Sequence, residues 1–192
     1  MPTDHSPTSA PTPGWSADAH LAPALPPPRP GWFGIAVFLA VFVALQGLYG
    51  LAGGSAVENW VVEKATVIPA AGAVALLQPE WQVRADGPRL IVLGKRINVR
   101  YGCEGTEVVF LLVAAMFAAR AGWRWRLAGL LTGIAVIWLL NQMRLVALVH
   151  VLVLRREWFA SIHGAIAPLL VVALATLFFL AWLRLAPADA AS

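Results

Sequence analysis

Leu127-Ala128-Gly129-Leu130-Leu131-Thr132-Gly133-Ile134-Ala135-Val136-Ile137-Trp138-Leu139-Leu140-Asn141-Gln142-Met143 runs for 17 residues without a charged side chain. As a helix it covers about 26 Å, close to the roughly 30 Å of a bilayer's hydrocarbon core, so it reads as a transmembrane span. Trp32 to Leu51 and Ala165 to Leu183 are two further uncharged runs of spanning length. A fourth, Val108 to Ala119, is uncharged for 12 residues and reaches spanning length if its helix starts at Cys103 and carries Glu104 and Glu107 in the first turn. The expected fold class is therefore an all-α integral membrane protein with about four transmembrane helices. A composition of 59 % hydrophobic and 12 % charged residues agrees, being too apolar for an ordinary soluble domain. Trp32, Trp60, Trp81, Trp123, Trp125, Trp158 and Trp182 fall at or beyond span ends, as an interfacial aromatic belt requires, and only Trp138 is deep.

Around these spans the chain divides by composition. Residues 1–30 are rich in Pro, Ser, Thr and Ala and are expected to form a disordered tail; with no basic segment leading promptly into a short apolar run, they do not read as a signal peptide, and the first span reads as a retained anchor. Residues 31–186 form the polytopic membrane domain, and 187–192 a short second tail. Residues 53–102 are the only sizeable polar insertion. Its first half, Val57 to Leu77, mixes Glu58, Glu63 and Lys64 with apolar residues and contains Pro69, which predicts an interfacial helix. Its second half predicts strands at Trp81–Ala85, Leu90–Leu93 and Arg96–Tyr101, a small hairpin or meander separated by Asp86-Gly87-Pro88 and Gly94-Lys95.

Counting residues brings three unusual side chains to one depth. If the basic turn from Arg120 to Arg126 marks one membrane surface, Cys103 lies 17 residues before it and Arg144 lies 18 after it, each about 26 Å away along its helix. His163 lies 21 residues before Arg184 on the returning helix, or about 32 Å, which again reaches the opposite surface. A cysteine attacks as the thiolate and wants a cation or base beside it, which makes Cys103, Arg144 and His163 a candidate nucleophilic site. Cys103 at a first helical turn would also gain from unpaired backbone amides and the helix dipole, while Glu104 and Glu107 would oppose its ionisation. Each residue has a bland reading: a small buried side chain for Cys103, a snorkelling arginine for Arg144, a helix-start residue for His163. Asn141, one turn before Arg144, could orient the guanidinium or a substrate carbonyl, or bond between helices, and His150 reads as interfacial.

One cysteine excludes an intrachain disulfide framework, and a metal site from Cys103, His150, His163 and a glutamate has no diagnostic ligand spacing, so neither metal nor cofactor is called for. The basic residues lie in membrane-flanking loops rather than one stripe. A sequence pI near 10 therefore does not point to nucleic acid.

At Gly102-Cys103-Glu104-Gly105, Asn141-Gln142-Met143-Arg144 and His163-Gly164 the chain resembles the exosortase/archaeosortase family of membrane-embedded cysteine transpeptidases, over roughly Gly31 to Leu185. The resemblance implies a Cys-Arg-His site on the extracytoplasmic face of a bacterial plasma (inner) membrane. It implies substrate proteins that carry a C-terminal sorting signal: a short motif, a transmembrane helix and a basic tail. Carried over by position, Cys103 would be the nucleophile, His163 the general acid/base, and Arg144 the group that stabilises thiolate or oxyanion. Many members have about eight spans and Cys-Ser-Gly or Cys-Thr-Gly; about four spans and Cys-Glu-Gly point to a short subclass such as the H-type or M-type exosortases. The family topology places Lys64, Arg84, Arg89, Lys95, Arg96, Arg100, Arg155 and Arg156 outside, opposite to the positive-inside count, as a folded insertion could permit. Two other classes compete: a non-enzymatic assembly factor for envelope polysaccharide or protein export, in which Arg144 binds partner helices, and a small transporter in which it binds an anion. The first predicts that Cys103→Ser leaves function intact; the second lacks the inverted repeats or paired broken helices of such folds.

Overall fold

A computed structural model describes residues 31–99 and 103–186, of which 78 % are helical. The two expected tails, Gly102, and the last two residues of the third expected strand (Arg100 and Tyr101) lie outside the described residues.

Helix α1 covers Gly31–Leu51 and buries none of its residues. After a glycine turn, α2 (Ala56–Asn59) is capped by Ser55, whose hydroxyl accepts from the amides of Val57 and Glu58, while the Glu58 carboxylate reaches back to the Gly54 amide. This reciprocal cap satisfies amides that the helix start would leave orphaned. The helix continues through a π-helical stretch, Trp60–Val67, into α3 (Ile68–Leu77). Pro69 lies inside this unbroken helix, where the carbonyl four residues before it, Ala65, accepts instead from the Trp138 and Gln142 side chains, so the three pieces form one segment, Ala56–Leu77. α4 covers Thr106–Ala118, α5 Trp123–Leu154, and α6 (Arg156–Ser161) passes through a second π-helical stretch, Ile162–Ile166, into α7 (Ala167–Arg184).

Among the described residues four segments are long and apolar enough to cross a membrane: Gly31–Leu51, Ala56–Leu77, Trp123–Leu154 and Arg156–Arg184. The number matches the sequence expectation, but the set differs. The segment expected to lie at the interface reaches 22 residues because a π-turn lets it pass Pro69. The segment expected to span from Cys103 is a 13-residue helix, about 20 Å long, because Gly105 takes a left-handed conformation and delays the helix start to Thr106. Large apolar side chains remain exposed along the long helices, Leu39, Leu131, Leu169 and Leu177 among them. Such exteriors are compatible with a multi-pass membrane protein.

Three antiparallel contacts set the bundle. Gly34 meets the Ala118 carbonyl while Tyr49 meets Phe110, so α1 runs against α4. Leu112 packs over Gly133, so α4 runs against α5, and Trp182 packs over Gly129, so α7 runs against α5 as well. A Cβ at Gly129 would sit 2.2 Å from Trp182 Nε1, and one at Gly133 would sit 2.4 Å from Leu112 Cδ2, so only glycine permits this approach. Leu112, Met116, Ile137, Ala175 and Trp182 form the core at this end. Arg126 closes it by donating to the carbonyls of Met116 and Ala119, both at 3.0 Å, at the exposed C-terminus of α4.

At the other end the insertion folds as a roof. A 3-10 turn (Pro79–Trp81) leads into a three-stranded meander: β1 (Arg84–Asp86), β2 (Arg89–Val92) and β3 (Lys95–Asn98), in the order β1-β2-β3. The expected strands are present with shifted bounds, and Trp81 belongs to the turn, not to β1. Leu93 and Gly94 both take positive φ, +46° and +74°, the geometry a two-residue hairpin demands. Leu90, Val92, Ile97 and Val99 face a second core made with Val62, Val67, Val74, Leu145 and Val149, and Cys103 belongs to it. Lys95 Nζ donates to the Leu152 carbonyl at 3.0 Å, fixing the sheet to the C-terminal end of α5, where the helix dipole favours a cation.

Candidate functional site

Cys103 lies on a bend three residues ahead of α4 and is 2 % exposed, packed beneath the sheet. The sulfur is therefore not in the first helical turn, and the expected contribution of that turn's amides is replaced by side chains from α5 and the α6–α7 segment. Arg144, two-thirds along α5, places Nη2 3.7 Å from Cys103 Sγ. His163, in the π-helical stretch between α6 and α7, places Nδ1 at 3.6 Å and Nε2 at 3.8 Å from the same sulfur. The three residues that depth counting levelled thus meet around one atom, and the antiparallel packing of α5 against α4 and α7 is what brings them there.

Burial pushes the Cys103 thiol up from its ordinary range; the Arg144 guanidinium opposes this, and Glu104 adds to it. Desolvation is the largest of the three, which favours the neutral thiol. Ionisation then requires a proton acceptor at the sulfur, and His163 is within reach through either ring nitrogen. Arg144 supplies positive charge where the sulfur, or an oxyanion next to it, becomes negative.

Two supports were not legible as such in the sequence. Asn141, 2 % exposed, donates from Nδ2 to the Cys103 carbonyl at 2.9 Å; it holds the main chain of the cysteine rather than the guanidinium. Phe159 stacks on the His163 ring with centroids 5.3 Å apart and planes 5° from parallel. The four-residue spacing of Phe159 and His163 was the available signal, since it puts both on one helix face. The deep Trp138 also finds its reason: it and Gln142 donate to the Ala65 carbonyl at 2.7 and 3.3 Å, an acceptor in the π-helical stretch Trp60–Val67. His150 stands apart from the site, its ring tilted 56° against Trp81 with centroids 4.8 Å apart and its Nδ1 2.8 Å from the Val146 carbonyl. His5 and His20 lie outside the described residues. Among the described residues no group of three or more His, Cys, Asp and Glu could hold a metal ion.

Helices α1, α4 and α7 enclose an apolar groove of about 290 Å³, lined by Phe38, Val108, Leu111, Ala115, Val172 and Phe179 among others. Comparison with models of protein families, with curated proteins and with solved structures finds no match to this chain.

Proposed function

We propose that the protein is a membrane-embedded cysteine peptidase/transpeptidase that cuts exported proteins bearing a C-terminal sorting signal, as its resemblance to exosortases implies. The observation that carries the reading is one sulfur with a base 3.6 Å and a guanidinium 3.7 Å away. In this scheme His163 takes the Cys103 proton and the thiolate attacks the scissile carbonyl. Arg144 faces the oxyanion of the tetrahedral intermediate, and His163 returns its proton to the leaving amine as the C–N bond breaks. The remaining thioester passes its acyl group to an acceptor amine, or to water, which regenerates the thiol. A neutral thiol suits this order, because His163 must be present as a base before attack begins.

The site faces the outside of a bacterial plasma membrane in this reading, where clients arrive with their signal helix still in the bilayer. The apolar groove between α1, α4 and α7 lies along the helix that follows Cys103, and in this reading it seats the client's apolar segment.

Co-expression with a tagged protein ending in motif, apolar helix and basic tail tests the reading. Processing should stop with Cys103→Ala and with His163→Ala. Processing that continues unchanged in Cys103→Ala would remove the sulfur from the mechanism.

A further inference from the structure

A buried amide that is only half satisfied needs a reason, because an apolar residue of similar volume would pack without the penalty. Asn141 is such a group: it is 2 % exposed, its Nδ2 is bonded to the Cys103 carbonyl at 2.9 Å, and among the described residues Oδ1 has no partner. The same side chain fills the space over Gly105. A Cβ added there would lie 3.0 Å from Asn141 Cγ and 3.3 Å from Nδ2, and Gly105 has φ +80°, which side-chain-bearing residues rarely adopt. The bend from Cys103 to Gly105 is thus held at one end by a hydrogen bond and at the other by close packing, both from one residue of α5.

Arg144 lies three residues further along α5, on the same helix face. One rigid helix therefore fixes the main chain of Cys103 through Asn141 and meets its sulfur through Arg144.

We propose that Asn141 is a positioning residue for Cys103: it locks the bend so that the sulfur stays against Arg144 and His163. The inference rests on the reading above only in taking Cys103 as the nucleophile. Asparagine suits the task because it is a neutral donor on a short, stiff side chain. Aspartate offers no donor when ionised and would set a negative charge beside the forming thiolate.

The lone cysteine allows a test that needs no client protein. The full chain, in detergent micelles, is alkylated with iodoacetamide across a pH series, and modification of Cys103 is followed by intact mass. Asn141→Ala should move the midpoint of the rate profile toward that of a small free thiol and speed alkylation near neutrality by roughly tenfold, because a released bend lets a sulfur that is 2 % exposed leave the cover that both disfavours its ionisation and shields it from the reagent. Asn141→Asp, nearly isosteric, should also displace the profile, since an ionised aspartate cannot donate to the Cys103 carbonyl and sets a negative charge near the sulfur. Gly105→Ala should be harmful alone and less so in the Asn141→Ala background, which removes the contacts at 3.0 Å with Cγ and 3.3 Å with Nδ2 and leaves only that with Cβ at 3.3 Å. Arg144→Ala serves as the reference variant with a displaced profile. Profiles of Asn141→Ala and Asn141→Asp that superpose on wild type, while that of Arg144→Ala moves, would overturn the positioning role. Failure of Cys103→Ala to stop client processing would strike the peptidase reading instead and leave this result standing.

Discussion

Gly129→Ala is the sharpest test of how the bundle is held. The new methyl would lie 2.2 Å from Trp182 Nε1 and 2.8 Å from both Cδ1 and Cε2, where carbon contacts are ordinarily about 3.5–4.0 Å. Trp182 cannot yield easily: it is 5 % exposed, stacks on Trp125 and Phe179, and donates to the Trp125 carbonyl at 3.3 Å. Overpacking costs about 1–3 kcal/mol and the lost hydrogen bond about 1, offset by about 1 from alanine's better helix propensity. The net is a destabilisation of roughly 1–3 kcal/mol, or about 2–4 °C in Tm for each kcal/mol in a chain of this size. Gly72→Ala is the control, because nothing lies within 4 Å of its added methyl; it should stabilise by about 0.5–1 kcal/mol. Thermal unfolding of both variants in one detergent, followed by circular dichroism, compares them. Gly129 lies 15 residues before Arg144, about 22 Å along α5, so the Cys103 alkylation profile should not move. A Gly129→Ala protein as stable as Gly72→Ala would refute the close packing of α7 on α5.

Three further outcomes follow from particular residues. Because burial raises the Cys103 thiol, its reactive thiolate should accumulate only above the pH at which a free cysteine ionises; a wild-type alkylation profile at or below that of a small thiol would contradict the buried site. Leu93→Asn should stabilise by about 1 kcal/mol, since Leu93 is exposed at φ +46° in a two-residue turn where leucine is strained and asparagine is not; chemical denaturation followed by circular dichroism reads this, and a loss of stability would count against the turn geometry. Phe159→Ala should cut client processing about tenfold or more by freeing the His163 ring, and Phe159→Tyr, which keeps the stack, should restore it; equal rates for the two variants would remove the stack from the mechanism.

Much of this architecture was legible as length and charge. A run such as Leu127 to Met143 has few alternatives to a membrane-length helix, because apolar residues without charge cannot be left in water and a helix satisfies its own backbone. Residue counting likewise levels Cys103, Arg144 and His163, since rise per residue is nearly constant. The same arithmetic failed for Ala56–Leu77 and Thr106–Ala118. A π-turn carries the first past Pro69 and a left-handed Gly105 shortens the second, and neither conformation leaves a one-dimensional signature.

The sequence by itself determined a helical, apolar chain with a polar meander and a cysteine, an arginine and a histidine at one level, because each of these depends on local composition and helix rise. Only tertiary structure decided that Arg144 and His163 turn toward the same sulfur, that Asn141 grips the Cys103 carbonyl, and that Gly129 and Gly133 let the helices close. Those outcomes depend on helix rotation and interhelical distance, which are set by packing between segments far apart in the chain.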